Sequence, residues 1–167
     1  MIDVTASNGV PVRRGTPDDA DELMRLRVVM FSGMPGAIAP EPGPWLQTGA
    51  DVLRRQLADP ADRLAAFAVD RPEGGLAACV VGAIDERLPG PGRPNPFKGY
   101  VYNVATDPAY RRRGYSRACM QALLAWYADR GVRQVDLRAS PDGEPLYASL
   151  GFVRTEDPAM RRVTAAR

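Results

Sequence analysis

The order of regular segments predicts an α/β fold, a mixed sheet with helices on both faces: a strand, two helices, three strands, a helix, a strand, a short helix and a last strand. Three observations carry this. Two apolar runs, Ala65–Val69 and Leu76–Ile84, flank the turn Asp70-Arg71-Pro72-Glu73-Gly74-Gly75 and read as an antiparallel hairpin. A long helical pattern lies between the runs Tyr100–Thr106 and Gln134–Ala139, a crossover that makes neighbouring strands parallel. With 167 residues, the chain has the length of one domain with one core.

Residues 1–9 are polar and aperiodic and read as a flexible lead-in to a single domain over 10–167. Val10–Arg14 is a first strand. Thr16-Pro17-Asp18-Asp19 is a helix start, with an N-cap, a proline at the first turn and acids that suit the helix dipole. Leu23, Leu26 and Met30 then share one helical face. Ser32–Pro44 is rich in glycine and proline and reads as a loop, and Trp45–Leu57 resumes a helical pattern. Asp85–Gly99, containing "RLPGPGRPNPFKG", reads as a long loop without regular structure, of the kind that often serves function. Tyr100–Thr106 is a strand halted by Asp107-Pro108. Met120, Leu123, Leu124 and Tyr127 mark a helix ending near Gly131. Pro145–Leu150 is a short helix closed by Gly151. Phe152-Val153-Arg154 opens a last strand, with Met160–Val163 as its partner.

Composition removes whole classes of chemistry. The chain has no histidine, which excludes a Ser-His-Asp triad, a Cys-His pair, His-ligated zinc and a histidine base. Cys79 and Cys119 sit in apolar runs and read as reduced, buried thiols rather than a disulfide or an acyl carrier. No signal peptide and no apolar run of ~18 residues is seen, which points to a soluble, cytoplasmic protein with no membrane partner. A net charge of +2 argues against a dedicated nucleic-acid binder, so a basic function must be local.

One such locus exists. "AYRRRGYSR", Ala109 to Arg117, holds four arginines in seven residues between the Tyr100–Thr106 strand and the following helix. A helix N-terminus offers unpaired N–H groups and about half a positive charge, so the junction is an anion site before side chains are counted. Gly114 gives the backbone its bend. A compact pyrophosphate suits the place, while a solvated turn and a nucleic-acid patch remain open readings of the arginines alone.

Three motifs narrow the choice. Arg111-x-x-Gly114-x-Ser116 resembles the pyrophosphate loop of the GCN5-related N-acetyltransferases, the GNAT superfamily, usually Arg/Gln-x-x-Gly-x-Gly/Ala. "NVATDPAYRRRG" resembles that family's strand-to-loop segment, and "PLYASLGF", Pro145 to Phe152, resembles its Leu-Tyr-x-x-x-Gly-Phe signature. The resemblance is strongest from Tyr100 to Phe152; before that only the helix-helix-hairpin layout is similar.

The resemblance implies a GNAT-like fold, a central mostly antiparallel sheet with a parallel splayed strand pair. It also implies direct transfer of an acetyl group from acetyl-CoA to a small-molecule or peptide amine in a ternary complex, with no metal. The main chain of Val104, Ala105 and Thr106 would meet the pantetheine arm. The N–H groups of Arg112, Arg113, Gly114, Tyr115 and Ser116, within the loop opened by Arg111 and adjoined by Arg117, would hold the pyrophosphate. Ser116 stands where the family has glycine or alanine, a mild change that adds a hydroxyl. Tyr147 matches the tyrosine that protonates the departing thiolate, a role worth ~10²–10⁴-fold, with a plain core aromatic as the alternative. Ser140 occupies the position of a cofactor-touching asparagine, and Gly143 that of an alanine. Tyr100 falls where some members carry a glutamate base, which leaves Asp85, Glu86, Tyr102 or a water chain as candidates. Acceptor recognition is expected from the Ser32–Pro44 loop with Trp45 and the Asp85–Gly99 loop with Phe97. The rival reading is a noncatalytic acyl-CoA-binding module; a homodimer is left open.

Overall fold

The structure, a computed structural model, describes residues 3–5, 9–34, 40–92 and 94–164. Six strands form one sheet in sequence order: β1 (Asp3–Thr5), β2 (Pro11–Arg14), β3 (Leu64–Asp70), β4 (Leu76–Glu86), β5 (Phe97–Thr106) and β6 (Val135–Leu137). All neighbours are antiparallel except β5 and β6, which run parallel. The mixed sheet and its parallel pair are therefore as expected. The helices are α1 (Ala20–Ser32), α2 (Pro44–Leu57), α3 (Tyr115–Asp129) and α4 (Glu144–Ser149).

The two faces follow from strand alternation. Ala65, Phe67 and Val69 of β3 and Ala78, Val80 and Ile84 of β4 pack with α3, while Leu64, Ala66, Ala68, Cys79, Val81 and Ala83 meet Leu23 and Leu26 of α1. The predicted helix start is a 3-10 turn, Pro17–Asp19, capped at Thr16, and α1 proper follows from Ala20. The Thr16 N–H donates to the Asp19 carboxylate at 2.7 Å, and the same carboxylate accepts both terminal nitrogens of Arg13 at 2.7 and 2.8 Å.

Three expectations fail. Residues 3–5 are not unstructured lead-in but a strand on β2, with Val4 opposite Val12. The Asp85–Gly99 loop is shorter than read, because β4 runs to Glu86 and β5 begins at Phe97, with Ile84 opposite Gly99 and Glu86 opposite Phe97. Its prolines end at Pro96, and the strand takes over with Phe97 packed on the α3-side core. The last strand is absent among the described residues. Arg154 is held by the Glu144 carboxylate at 2.5 and 2.8 Å, and Pro158 follows, so the segment is drawn onto the start of α4.

β5 carries the feature that shapes the site. Its ladder with β4 shifts register between Val81 and Gly82: Asn103 lies opposite Val81, Val101 opposite Gly82, and Tyr102 is the extra residue. The bulge swaps the faces of the strand. Val101 belongs to the α3-side core, yet Ala105 joins the α1 side, and Val104 takes over contact with the α3 side.

Tyr127 of α3, 1% exposed, fills the irregularity. Its hydroxyl lies 3.1 Å from the Ala83 carbonyl and 3.0 Å from the Tyr100 carbonyl, a shared donation across the pair. Gly82 and Gly99 make the room: a methyl group at Gly99 would come within 2.8 Å of the Tyr127 ring, and one at Gly82 would strike its hydroxyl. Tyr127→Phe leaves two buried carbonyls without this donor and is expected to cost about 1–3 kcal/mol. Gly99→Val is expected to cost more through overpacking. Urea unfolding midpoints of the two variants against the parent measure both losses.

Candidate active site

β5 and β6 are paired only from Gly99 to Val101, opposite Val135 to Leu137. Beyond that point β5 continues along β4 as far as Thr106 while β6 has ended, so one edge of residues 102–106 is open. This edge, the C-terminal part of α1, the start of α3 and the approach to α4 enclose a cleft of about 1000 Å³. Val104, Ala105, Thr106, Arg111, Arg112, Gly114, Tyr115, Ser116, Arg117, Ser140 and Tyr147 all line it. The structure thus brings together every predicted site residue but Arg113.

The arginine-rich junction forms the floor. Gly114 caps α3 at φ +79°, where a side chain would be strained but would meet nothing within 4 Å. Arg112 is held at φ +62°, an uncommon left-handed conformation for a non-glycine residue. No backbone N–H from Arg112 to Arg117 donates to another described residue, and α3 lacks a side-chain cap. Six consecutive donors at a helix N-terminus, with open space at Gly114, fit a pyrophosphate.

The side chains divide the labour. The Arg113 guanidinium stacks on Tyr110 at 4.9 Å and donates to the Ala109 carbonyl at 3.4 Å, and Arg113 does not line the cleft. Arg117 donates to the Ser149 hydroxyl at 2.8 Å, joining α3 to α4. Arg111 reaches back to the Thr106 carbonyl at 3.5 Å. The hydroxyls of Thr106 and Ser116 are 2.6 Å apart and join the end of β5 to the first turn of α3. One of those two hydroxyls donates to the other, and the second keeps its proton for a ligand.

Asp107 is the anchor beneath this floor. It accepts from the Ala109 N–H at 3.2 Å and from Arg25 at 2.9 Å, with Arg71 at 3.9 Å. Arg25 also donates to Glu22 at 2.8 Å and to the Leu76 carbonyl at 2.7 Å, while the Leu76 N–H donates to Glu22 at 2.8 Å. The cluster fastens α1 to the ends of β4 and β5. Burial alone would raise the Asp107 and Glu22 carboxyls, but the N–H donors and Arg25 outweigh it and hold both below the usual carboxylate range.

Tyr147 of α4 is half-buried against Phe152, ring centroids 6.1 Å apart, and burial raises its phenol. Gly143 allows its pose, since a methyl group there would lie 2.9 Å from the Tyr147 ring. Ser140 lines the cleft, but its hydroxyl accepts from the Gly143 N–H at 3.2 Å and helps to turn the chain into α4.

The candidate bases separate. Asp85 pairs with Arg87 and Glu86 with Arg63, each at 3.1 Å, and neither lines the cleft. Tyr100 and Tyr102 do line it, ring centroids 5.1 Å apart. Burial, then the Asp85 charge, raise the Tyr102 phenol. Asp142 is the one carboxylate among the described lining residues. Burial pushes the Cys79 thiol up to about 12 and raises Cys119 as well, which makes both poor nucleophiles.

Sequence reasoning missed Arg138 and Arg27, which line the cleft as isolated arginines with no motif around them. It also missed a second cavity of about 620 Å³ between α1, α2 and the bulge. Trp45 lines it as expected of an acceptor residue, whereas Phe97 does not and instead lies under Arg63 at 5.8 Å. Residues 35–39 of the expected Ser32–Pro44 acceptor loop lie outside the described residues.

The chain is similar to known proteins. The sequence profile of the Acetyltransferase (GNAT) family matches residues 31–152. A mycothiol acetyltransferase of Rhodococcus erythropolis is 31% identical over 160 residues, covering 92% of this chain and 50% of that protein. The N-alpha-acetyltransferase RimI of Mycobacterium tuberculosis is 39% identical over 64 residues, 38% of this chain and 40% of that protein. The chain thus spans about half the length of the curated relatives it matches. Among solved structures, a predicted acetyltransferase from Clostridium acetobutylicum with acetyl-CoA superposes with a TM-score of 0.79 at 20% identity, covering 90% of this chain and 94% of that one. A GCN5-related N-acetyltransferase from Ralstonia eutropha gives 0.73 at 28% identity, covering 90% and 97%.

The Asp107 cluster sets an acid limit. Carboxyls depressed on folding contribute stability that is present above their unfolded values, near 4, and is lost as pH falls through the lower folded ones. The unfolding midpoint is therefore expected to fall between pH 5 and the acid end of the titration, and Asp107→Asn is expected to flatten that fall. Urea titrations at stepped pH measure both slopes.

Proposed function

The chain belongs to the Acetyltransferase (GNAT) family, and we propose that it transfers acetyl from acetyl-CoA directly to a primary amine in a ternary complex. The observation that carries this reading is the row of six unpartnered N–H donors, Arg112 to Arg117, at the foot of an open strand edge that leads past Tyr147. When bound, acetyl-CoA supplies an activated thioester; the rest is the work of this chain's residues.

The N–H row and the cationic walls hold the pyrophosphate, with Arg111, Arg112, Arg117 and Arg138 around it. The open main chain of Val104 to Thr106 offers donors and acceptors to the amides of the pantetheine arm. Tyr147, a phenol and so protonated at neutral pH, stands ready to donate to the leaving sulfur. Ser140 contributes the shape of its turn more than its hydroxyl, which the Gly143 N–H already occupies. A cytoplasmic setting accords with an acetyl-CoA-using protein whose two cysteines are free. The scarcity of carboxylates in the cleft favours one rival, an acyl-CoA-binding module without turnover.

Acetyl-CoA is expected to raise the melting temperature, by the equivalent of about 2.7 kcal/mol at a hundredfold excess over Kd. Gly114→Trp, which projects a ring from the floor, is expected to abolish that shift; no shift with the intact protein would remove the cofactor assignment. Thiol release over a panel of amines then separates enzyme from module. In the same assay Tyr147→Phe is expected to lower kcat by ~10²-fold or more while the thermal shift persists.

A further inference from the structure

The second cavity is mainly apolar, with Leu23, Met24, Trp45, Leu53 and Val81 in its walls beside the polar Thr48, Gln56 and Asn103. Two residues line both it and the main cleft, Arg27 and Tyr102, so the two spaces meet there. Tyr102 is the bulged residue of β5, and Arg27 belongs to α1.

Arg27 is a half-buried cation with no acidic partner among the described residues. Arg25, two positions earlier, has Glu22 and Asp107, whereas Arg27 has only the ring of Phe31 at 4.8 Å. The sequence of residues 35–39, Pro-Gly-Ala-Ile-Ala, contains no acid to offer. Burial draws its guanidinium below the ordinary arginine value with nothing to offset it. A desolvated charge without a counter-ion is costly, and the guanidinium fork matches a carboxylate in two parallel hydrogen bonds. Nor does Arg27 belong to the pyrophosphate floor. It precedes Gly33, the residue that caps α1 beside Arg111, by about 9 Å of helix rise.

We propose that the acceptor is a free α-amino acid with an apolar side chain, its carboxylate on Arg27 at the junction and its side chain in the second cavity. The assignment rests on the acetyltransferase reading above and gives it a substrate class. In an α-amino acid the amine sits on the carbon next to the carboxylate, so pairing with Arg27 holds nitrogen at the mouth of the cleft. Neutralising the carboxylate also removes the anion that keeps the neighbouring ammonium protonated, which favours the free amine in a site poor in carboxylate bases. That nitrogen then forms a bond to the acetyl carbonyl carbon as the carbon–sulfur bond breaks. One proton leaves nitrogen for water, one reaches sulfur from Tyr147, and the phenolate so formed regains its proton from water, giving the N-acetyl amino acid and the free thiol.

The test is thiol release by the intact protein with acetyl-CoA and three matched amines: L-phenylalanine, L-phenylalaninamide and 2-phenylethylamine. The expected kcat/KM for L-phenylalanine is at least tenfold above the other two. In Arg27→Gln that ratio is expected to fall towards one, chiefly through KM, with part of it retained in Arg27→Lys. Equal or better use of the amide or of 2-phenylethylamine overturns the assignment and leaves the acetyltransferase reading standing. An unchanged ratio in Arg27→Gln overturns it too, as does absence of thiol release with both L-phenylalanine and L-leucine. Failure of acetyl-CoA to raise the melting temperature overturns the parent reading instead. If Arg27→Gln does not fold, Leu53→Trp, which fills the apolar cavity, is expected to shift preference from L-phenylalanine to glycine, and an unchanged preference overturns the proposal.

Discussion

The rest of this structure depends on β5 changing its partners halfway along. Up to Val101 the strand is paired on both sides; from Tyr102 to Thr106 it keeps β4 and has lost β6. A strand edge with free hydrogen-bonding groups is a liability unless something holds it in register. Here the Tyr127 hydroxyl spans the Ala83 and Tyr100 carbonyls next to the shift, and the absence of side chains at Gly82 and Gly99 lets its ring approach. The same bulge turns Asn103 and Ala105 towards α1 and Val104 towards α3, and thereby leaves space on either side of Tyr102 for the two cavities. Packing of one buried phenol and the geometry of the ligand cleft are a single problem.

Charge is arranged with the same economy. The chain carries +2 overall, yet the described cleft wall holds Arg27, Arg111, Arg112, Arg117 and Arg138 against the single acid Asp142. The acids nearest the floor are engaged behind it, where Glu22 and Asp107 bind Arg25. A near-neutral surface with a cationic recess concentrates positive potential where a polyanion docks, and low-dielectric walls strengthen it. Arg113 and Arg117 show why counting arginines misleads: one stacks on Tyr110 and the other ties α3 to α4. The peptide N–H groups of the same stretch, whose positions are set by the helix, are left without protein partners among the described residues.

What was legible in the sequence was whatever is written locally. Thr16-Pro17-Asp18-Asp19 names a helix start because a cap is a contact over three residues, and Gly114 announces a turn because only a left-handed residue suits the cap of α3. Two apolar runs about a glycine-rich turn gave the hairpin of β3 and β4, though not its two faces. Position in three dimensions was harder. Phe97-Lys98-Gly99 looks like the tail of a proline-rich loop, and only the Tyr127 ring behind Gly99 explains a glycine in a strand. The expected last strand gives way to an irregular segment in which Arg154 pairs with Glu144 on another element, a contact that no local pattern announces. Arg27 and Arg138 were invisible because an arginine on a helix or after a strand looks alike whether it faces water or a ligand.

The bulge at Tyr102 divides β5 into two segments with opposite inside and outside. Residues before it answer to the α3 core through Val101, and residues after it answer to the cleft and to α1. Past the bulge Asn103 and Ala105 are again buried, so the second segment stays tied to the α1 side of the core, and Tyr102, 45% exposed, is the residue of this stretch that is free to vary. A fold built this way concentrates its tolerance for change at the bulge itself, which makes Tyr102 the natural place to redirect specificity by design.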